Sequence, residues 1–481
     1  MAFDYSKLAS PAYFAENRIP AHSDHVSFAN RSEWERGENS LRMSLNGLWK
    51  FHHARNFDQL PHGFEQPDYN CRRWNDIPVP AHIQLEGYGM PQYVNVQYPW
   101  DGLEGIEVGE IPQDFNPVAS YCKYFFLPEA MQGKRVFVSF QGAESCVILW
   151  LNGHYVGFSS DSFTPSDFEL TPYLVAGENK LCCQVVRFTA GSWIEDQDFM
   201  RFSGLFRDVF LYAAPTAHIA DIRVKTLLDD VYTDATLDVA VKLDLCEGFA
   251  GQLRLALKDE DTIVACEQNV CPVHDASVEV HFSLPVASPK LWSAEAPNLY
   301  DLELSIVDPE GTEVEFACEK VGFRRFEIID CVMHLNGKRI VFKGTDRHDY
   351  CAETGRAVPE WKVRRDLITM KRNNINAIRT SHYPNASCLY RIADELGLYV
   401  IDEANMESHG VWDMCMAGLK PAEYLLPGDR MDWQAILLDR VNSMFQRDKN
   451  HVSISTNVSG LICAERIILT NSLVVITAST S

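Results

Sequence analysis

Short runs of apolar residues, separated by glycine, proline and asparagine, dominate the chain from about residue 46 to 214. Segments 135–140 and 146–151 are two such runs, and Asn152 and Gly153 follow the second one. An Asn-Gly pair suits a tight hairpin turn that needs positive φ. Many short strands without a helical period predict an antiparallel sandwich of the jelly-roll type over 46–214, preceded by an N-terminal extension at 1–45.

A strict alternation of apolar and polar residues marks the next part of the chain. The period of two is clearest at 237–243, 253–257 and 302–306. Such segments predict strands with one buried face, and a unit of about 100 residues built from them is typical of an immunoglobulin-like sandwich. We place this second sandwich at 215–328.

From about residue 329 the pattern alternates between strands and helices. The predicted elements are a buried strand at 339–344, a helix at 360–373, a strand at 377–380, a helix from the N-cap Asn385 to a stop at Gly397, a strand at 398–402, and a helix marked by Leu437, Val441, Met444 and Phe445. Strand–helix alternation predicts a parallel sheet, here the opening part of a (β/α)8 TIM barrel over 329–451.

Charge and composition narrow the class of function. The chain has 43 basic and 66 acidic residues, a net charge of −23, which disfavours nucleic acid and anionic membranes as partners. The N-terminus lacks the pattern of a secretory signal, and no apolar run is long enough to span a bilayer. We therefore expect a cytoplasmic protein whose fourteen cysteines are reduced and mostly buried, acting on a neutral or cationic small molecule.

Polar residues gather at three predicted strand ends, at 345–349, 381–385 and 402–410. In a TIM barrel the functional side chains sit at the C-terminal ends of the strands, so the three segments should converge on one mouth. Any one of them alone is weak evidence, since a single histidine is usually structural. Three in succession favour a functional site.

Glu407 and His409 stand two residues apart, and in extended backbone such side chains point to the same side. A carboxylate beside an imidazole suits a divalent cation such as Mg²⁺. The spacing alone, however, favours a hydrogen-bonded pair without a metal. The acidic segment 195–198 in the first sandwich, taken alone, favours a solvated turn.

Several motifs together resemble glycoside hydrolase family 2, and within it the β-galactosidases. They are Tyr-Val-Asn-Val-Gln-Tyr-Pro at 93–99, Glu-Asp-Gln-Asp at 195–198, Arg-Thr-Ser-His-Tyr-Pro-Asn at 379–385 and Asp-Glu-Ala-Asn-Met-Glu-Ser-His-Gly at 402–410. The likeness runs from about residue 30 to His451. It implies retaining hydrolysis of terminal β-D-galactosides such as lactose, which requires two carboxyl groups.

The resemblance also implies roles for individual residues. Glu407 and His409 would ligate Mg²⁺, and Asp198 would contact galactose and help to hold a monovalent cation such as Na⁺. Three further residues would bind the sugar: Asn95, His348 and His382. Galactose is neutral and rich in hydroxyl groups, so buried polar partners of this kind suit it.

The likeness breaks after His451. An ungapped alignment puts Ile462 where the family has its acid/base glutamate, and we do not transfer that role to Glu465. That glutamate also ligates Mg²⁺ in the family, so its replacement weakens the expectation of a metal. The nucleophile would belong to a later strand, beyond Ser481.

The tail 452–481 holds thirteen Val, Ile or Thr residues and two charged ones, a composition that favours a frameshift. We therefore expect an incomplete barrel, with hydrolysis absent or very weak. The alternatives are a non-catalytic galactoside-binding protein and a fragment that complements a separate chain carrying the rest of the barrel. Family members are often homo-oligomeric.

Overall fold

Two antiparallel sheets form the first sandwich in the computed structural model, which describes residues 3–95, 97–271, 277–428 and 430–458. The elements up to residue 214 are β1 (Ala15–Glu16), β2 (Ser27–Phe28), α1 (Arg31–Arg36), β3 (Arg42–Ser44), β4 (Gly47–Ala54), β5 (Asn75–Val79), β6 (Val118–Phe126), β7 (Arg135–Phe140), β8 (Ala143–Glu144), β9 (Val147–Leu151), β10 (His154–Ser159), β11 (Ser166–Glu169), β12 (Glu178–Val186), β13 (Gly204–Leu205) and β14 (Val209–Ala214).

The larger sheet has the order β1-β10-β9-β12-β6-β4-β5, and the smaller has β11-β7-β14-β3. Their facing apolar side chains, including Trp49, Phe140 and Leu149, form one buried core. Between β9 and β10 the turn residues Asn152 and Gly153 have φ of 51° and 85°. The predicted antiparallel sandwich and its hairpin are confirmed, and the jelly-roll description stays a prediction.

The second sandwich contains β15 (Ala217–Leu228), β16 (Ala235–Leu245), β17 (Gly251–Asp259), β18 (Thr262–Cys271), β19 (Ser277–Val286), β20 (Tyr300–Val307) and β21 (Glu313–Val321). Its sheets have the orders β15-β16-β19 and β18-β17-β20-β21-β2. Alternate residues such as Val239, Leu255 and Leu304 fill the core between them. The period of two thus arises because each strand buries one face.

The N-terminal extension is shared between the two sandwiches. Its strand β1 lies at the edge of the seven-stranded sheet, and its strand β2 pairs with β21 of the second sandwich. The first 45 residues therefore hold the two units together.

The last described part contains β22 (Phe326–Ile329), β23 (Val332–Leu335), β24 (Lys338–Arg339), β25 (Gly344–Asp346), α2 (Glu360–Arg372), β26 (Ala377–Arg379), α3 (Ser387–Leu396), β27 (Tyr399–Glu403), α4 (His409–Met416), α5 (Gln434–Asp448) and β28 (Ile454–Val458). Strands β25, β26, β27 and β28 form a parallel sheet in chain order. Parallel strands separated by helices are the arrangement of a TIM barrel. A buried cluster that includes Leu367, Ile392 and Val400 joins the helices to the sheet.

Two local predictions are wrong. No single buried strand spans 339–344. β24 ends at Arg339, β25 begins at Gly344, and Val341 in the segment between them is 52% exposed. The N-cap of α3 is Ala386 and not Asn385. The Asn385 side chain instead accepts from Arg347 at 2.7 Å and donates to the Tyr383 carbonyl at 3.1 Å.

Short 3₁₀ turns lie at Tyr5–Ala9, Phe57–Gln59, Cys71–Arg73, Glu129–Met131, Thr171–Tyr173, Ala190–Ile194, Ala422–Tyr424 and Met431–Trp433. Within the described ranges, no helix has both the length and the apolarity that crossing a bilayer requires. Twelve cysteines of this part are free thiols, six of them buried.

Candidate functional site

A loop of the first sandwich pairs with a loop of the barrel. The backbone amide of Glu407 donates to the Ile194 carbonyl at 2.8 Å, and the amide of Asp196 donates to the Glu407 carbonyl at 3.0 Å. Glu195 and Glu407 thereby form a parallel β-bridge. The bridge brings the segment 195–198 next to the C-terminal ends of the barrel strands.

Buried polar side chains reinforce this junction. Gln197 Nε2 donates to Asn405 Oδ1 at 2.8 Å, and Asn405 Nδ2 donates to Glu195 Oε1 at 2.8 Å. The Arg440 guanidinium of α5 lies 2.8 Å from the same Glu195 oxygen. Burial raises the pKa of Glu195, while Arg440 opposes the shift. The network connects the sandwich loop, the loop after β27 and a barrel helix.

The prediction of a solvated turn at 195–198 is wrong for its first three residues. Glu195, Asp196 and Gln197 are buried, and Asp198 alone is exposed. Asp196 accepts from the Gly410 amide at 2.7 Å and pairs with Arg201 at 2.6 Å. Burial nevertheless raises the pKa of Asp196 to about 7.

His382 lies at the centre of the site, in contact with two charged groups. Its Nδ1 is 3.2 Å from Glu403 Oε2, and Arg379 Nη2 is 2.9 Å from the same oxygen. Burial lowers the pKa of His382, but the bond to Glu403 outweighs it and the net shift is upward. The Arg379 guanidinium, 3.0 Å from the same ring nitrogen, opposes the effect of Glu403 on the pKa of His382.

His348 stands edge-on to His382, with ring centroids 5.8 Å apart at 84°. Its Nδ1 is 3.4 Å from the Tyr383 hydroxyl. Burial and the neighbouring His382 lower the pKa of His348, and the Asp198 carboxylate acts in the opposite direction. The pKa values of the two imidazoles are thus shifted in opposite directions.

Asp198 and Asn95 lie on the sandwich side. A hydrogen bond from Tyr93 reaches Asp198, and that contact raises the pKa of Tyr93. The backbone carbonyl of Asn95 lies 3.5 Å from Arg201 Nη2. Asn95 has φ of 52° and an exposed side chain. Asn95 thus lies two residues after Tyr93, the partner of Asp198.

Glu407 and His409 are in contact, with Oε1 and Nδ1 3.3 Å apart. His409 is the first residue of α4, and its Nε2 is 3.6 Å from Asp413. Burial raises the pKa of Glu407, and His382 and His409 oppose that shift. The pair offers one carboxylate and one imidazole, a donor set that fits Mg²⁺ with retained waters.

A second group of potential ligands lies away from this mouth. Asp24, Asp448 and His451 bring donor atoms within 4.8 Å of one another. His451 lies between Asp24 at 3.3 Å and Asp394 at 2.6 Å, and these ion pairs raise its pKa well above the usual value despite burial. Both ring nitrogens of His451 face carboxylates, and Asp448 is paired with Arg447 at 2.7 Å, so we regard this group as structural.

The structure thus groups His348, His382, Asp198 and Glu407 through direct or electrostatic contacts, with His409 and Asn95 at the border. Ile462 and Glu465 lie outside the described residues. The sequence had not indicated three of the site residues individually, namely Glu403, Gln197 and Asn405. Glu403 is the last residue of β27, and this position at a strand end is the feature by which the sequence could have indicated it as a site residue.

Three family models match the chain in succession. They are "Glycosyl hydrolases family 2, sugar binding domain" at 42–215, "Glycosyl hydrolases family 2" at 217–324 and "Glycosyl hydrolases family 2, TIM barrel domain" at 326–456.

Curated relatives agree with these matches. A β-galactosidase of Halalkalibacterium halodurans is 49% identical over 442 residues, covering 92% of this chain and 43% of that protein. A β-galactosidase of Streptococcus thermophilus is 47% identical over 451 residues, covering 93% of this chain and 43% of that protein. A β-galactosidase large subunit of Latilactobacillus sakei is 39% identical over 459 residues, covering 93% of this chain and 72% of that protein. The chain spans less than half the length of the first two relatives.

Solved structures share the fold. A β-glucuronidase of Bacteroides uniformis superposes with a TM-score of 0.72 at 22% identity, covering 87% of this chain and 46% of that one. A β-glucuronidase of Bifidobacterium dentium superposes with a TM-score of 0.69 at 22% identity, covering 92% of this chain and 70% of that one. The sandwich loop binds to the ends of the barrel strands, and the matches extend along almost all of the described chain. This protein therefore belongs to the glycosyl hydrolases family 2.

Proposed function

We propose that this chain carries the sugar-binding and cation-binding part of a β-galactosidase-type site, for terminal β-D-galactosides such as lactose. The β-bridge between Glu195 and Glu407 is the observation that carries the proposal, because it brings Asp198 of the sandwich to the histidines of the barrel. The relatives named β-galactosidase support the choice of galactoside.

Four side chains would recognise the sugar. Asp198 is an exposed acceptor for hydroxyl groups, and Asn95 approaches from the adjoining loop. A neutral His348 can both donate to and accept from hydroxyl groups. His382, when protonated, would stabilise negative charge, and Glu403 would hold its ring in place.

Glu407 and His409 would hold Mg²⁺, and Asp198 would help to hold Na⁺. A bound Mg²⁺ would supply fixed positive charge beside the sugar and orient its own waters. The two side chains are hydrogen-bonded to each other, so a bound Mg²⁺ would have to replace that hydrogen bond. Asp198 interacts with Tyr93 and, electrostatically, with His348, so its cation would be a separate one.

Among the described residues, the buried carboxyl groups of the site are already paired, Asp196 with Arg201 and Glu407 with His409, so none is assigned as proton donor for the leaving group. Retaining glycosidases use two carboxyl groups about 5–5.5 Å apart, one as nucleophile and one as acid/base. Ile462 occupies the aligned acid/base position and has no proton to give. Glu403 is a poor substitute, because it is 1% exposed and paired with Arg379 and His382. We therefore propose that this chain binds galactosides but hydrolyses them weakly or not at all.

A second candidate is a subunit of a larger enzyme. Relatives named β-galactosidase large subunit are covered to 72% by this chain, and that name implies a partner subunit for those proteins. A partner carrying further barrel strands would then restore hydrolysis. We also propose that the protein forms homo-oligomers and is located in the cytoplasm.

The test combines turnover with binding. We expect the purified chain to show little hydrolysis of a chromogenic β-galactoside, together with galactose binding by saturation-transfer NMR. Asp198→Ala should abolish the binding signal, and Asp261→Ala, an exposed change in the second sandwich, should leave it unchanged. Preferential binding of glucuronic acid, or turnover near that of a related β-galactosidase, would contradict the proposal.

A further inference from the structure

Tyr383 belongs to the barrel, in the loop after β26, but its side chain packs against the first sandwich. Its ring is stacked on that of Phe163, with centroids 4.2 Å apart and an interplanar angle of 21°. The ring of Phe199 meets it edge-on at 5.7 Å and 70°. Only 1% of Tyr383 is exposed. Two loops of the sandwich therefore hold the ring of a residue that follows His382 directly.

The backbone of Tyr383 is fixed as firmly as its ring. The Tyr383 amide donates to the Thr380 carbonyl at 3.0 Å, and the Tyr383 carbonyl accepts from Asn385 Nδ2 at 3.1 Å. Both contacts lie within the barrel loop, whereas the aromatic contacts come from the sandwich. The position of the Tyr383 hydroxyl group therefore depends on both domains.

The Tyr383 hydroxyl has one hydrogen-bond partner in the part of the chain that the structure describes. It lies 3.4 Å from Nδ1 of His348, and the two rings are inclined at 54° with centroids 5.9 Å apart. Because burial raises the pKa of Tyr383, the hydroxyl keeps its proton. A buried O–H group without an acceptor is costly, so this proton must be directed at Nδ1.

His348 is held in place by the residues on either side of it in the sequence. Arg347 Nη1 donates to Asn385 Oδ1 at 2.7 Å, and Asp349 Oδ2 accepts from the Ala386 amide at 3.4 Å. Arg347 and Asp349 are both buried. The His348 ring therefore starts from a fixed backbone, and the bond from Tyr383 determines which nitrogen faces the sandwich.

Nε2 of His348 is the ring nitrogen that is left for a ligand. No group among the described residues hydrogen-bonds to it, and the half-buried ring stands beside His382 in the candidate site. A neutral imidazole carries its proton on one nitrogen and accepts at the other. Acceptance at Nδ1 therefore leaves the proton on Nε2.

We propose that Tyr383 is a positioning residue that fixes neutral His348 as the tautomer protonated at Nε2, so that this imidazole donates to a sugar oxygen and does not accept from a sugar hydroxyl. The inference rests on the proposed galactoside site. The hydrogen bond made by one nitrogen of a histidine decides what the other nitrogen can do. The first sandwich thus sets, through Phe163 and Tyr383, the direction of a hydrogen bond to the sugar in the barrel.

The tautomer can be measured in the full chain with ¹⁵N-labelled histidine. Long-range ¹H–¹⁵N spectra distinguish a protonated ring nitrogen from an unprotonated one, and His348→Gln assigns the signals of His348 by their loss. At a pH where this ring is neutral, we expect an unprotonated Nδ1 with the chemical shift of a hydrogen-bond acceptor. A proton on Nδ1 would overturn the proposal, and this outcome needs no variant of Tyr383 that folds.

Tyr383→Phe removes the hydroxyl and keeps the ring that stacks on Phe163. The Nδ1 signal of His348 should move to the position of a nitrogen without a hydrogen bond, and the affinity for galactose should fall about 2- to 10-fold, the effect of one hydrogen bond. A structural role alone would leave the Nδ1 signal in place. An unchanged Nδ1 signal, or an affinity equal to that of the unsubstituted chain, would overturn the proposal.

Tyr212→Phe is the matched control. It removes the hydroxyl of a tyrosine on β14 that donates to Asp167 at 3.0 Å, so it also costs the first sandwich one side-chain hydrogen bond. This variant should keep both the Nδ1 signal of His348 and the affinity for galactose. If the unsubstituted chain binds no galactose, the proposed function fails, whereas the spectra of His348 still decide the role of Tyr383.

Discussion

Glu407 and Ile194 are joined by a backbone hydrogen bond of 2.8 Å, although 213 residues separate them in the sequence. The bond connects the first sandwich to the loop after β27. The candidate site therefore depends on the relative placement of two domains, and substitutions at the junction should affect both stability and sugar binding.

Gln197→Ala tests the side-chain part of this junction. The change removes the donor to Asn405 Oδ1 and leaves that buried oxygen without its partner. We expect a loss of about 1–3 kcal/mol in the free energy of unfolding, together with weaker galactose binding. Chemical denaturation and NMR binding measure the two effects. Gln132→Ala, at an exposed position, is the control. Unchanged stability would show that Gln197 does not join the domains.

Arg379→Met tests the charge balance around Glu403. Glu403 is buried, and its closest cation would be lost. His382 stays 3.2 Å from Glu403, so the loss in the free energy of unfolding should lie below the about 3–5 kcal/mol of a buried charge left without any partner. Arg391→Met breaks an exposed pair with Glu360 at 2.8 Å, and such pairs contribute at most about 1 kcal/mol. Equal denaturation midpoints for the two variants would contradict this account.

His25 should make the fold sensitive to acid. Its Nε2 donates to the Ile219 carbonyl at 2.9 Å, and its Nδ1 accepts from Ser23 Oγ at 2.8 Å, so the neutral ring fits the site. Burial lowers the pKa of His25 to about 4, aided by His22 and His218 and opposed by Glu315.

Because the folded pKa of His25 is below the unfolded value of about 6.5, its contribution to stability is complete above that pH and is lost as the pH falls towards 4. His25→Gln should therefore flatten the decline of the melting temperature between pH 7 and 4.5. His281→Gln, at a side chain that is 58% exposed, should keep the decline. Identical profiles for the wild type and His25→Gln would refute the assignment.

Glu407→Gln tests the proposed magnesium site. The amide is neutral and a weaker ligand, so Mg²⁺ affinity should fall by at least about 10-fold, the loss that even outer partners of a metal ligand produce. Calorimetric titration with Mg²⁺ measures the change, and Glu423→Gln at an exposed position is the control. Retained affinity in Glu407→Gln would exclude this residue as a ligand.

The sequence predicted those parts of the structure that depend on local pattern. The run 135–140 is strand β7, and Gly397 ends α3 with φ of 74°. The failures involve groups that only tertiary contacts bring together. Glu403 meets Arg379 because β26 and β27 are neighbours, and Gln197 meets Asn405 across 208 residues. The acidic segment at 195–198 has the composition of a surface turn, and its burial depends on a domain contact that composition does not encode.

The sharing of the first 45 residues between both sandwiches has a practical consequence for protein production. A version that starts at residue 46 would leave Phe158 without the stacked ring of Tyr13, 4.9 Å away, and Phe316 without its neighbour Trp34 at 5.5 Å. It would also expose the edges of β10 and β21. Bare strand edges flanked by aromatic rings promote aggregation, so trimming at that point should yield inclusion bodies.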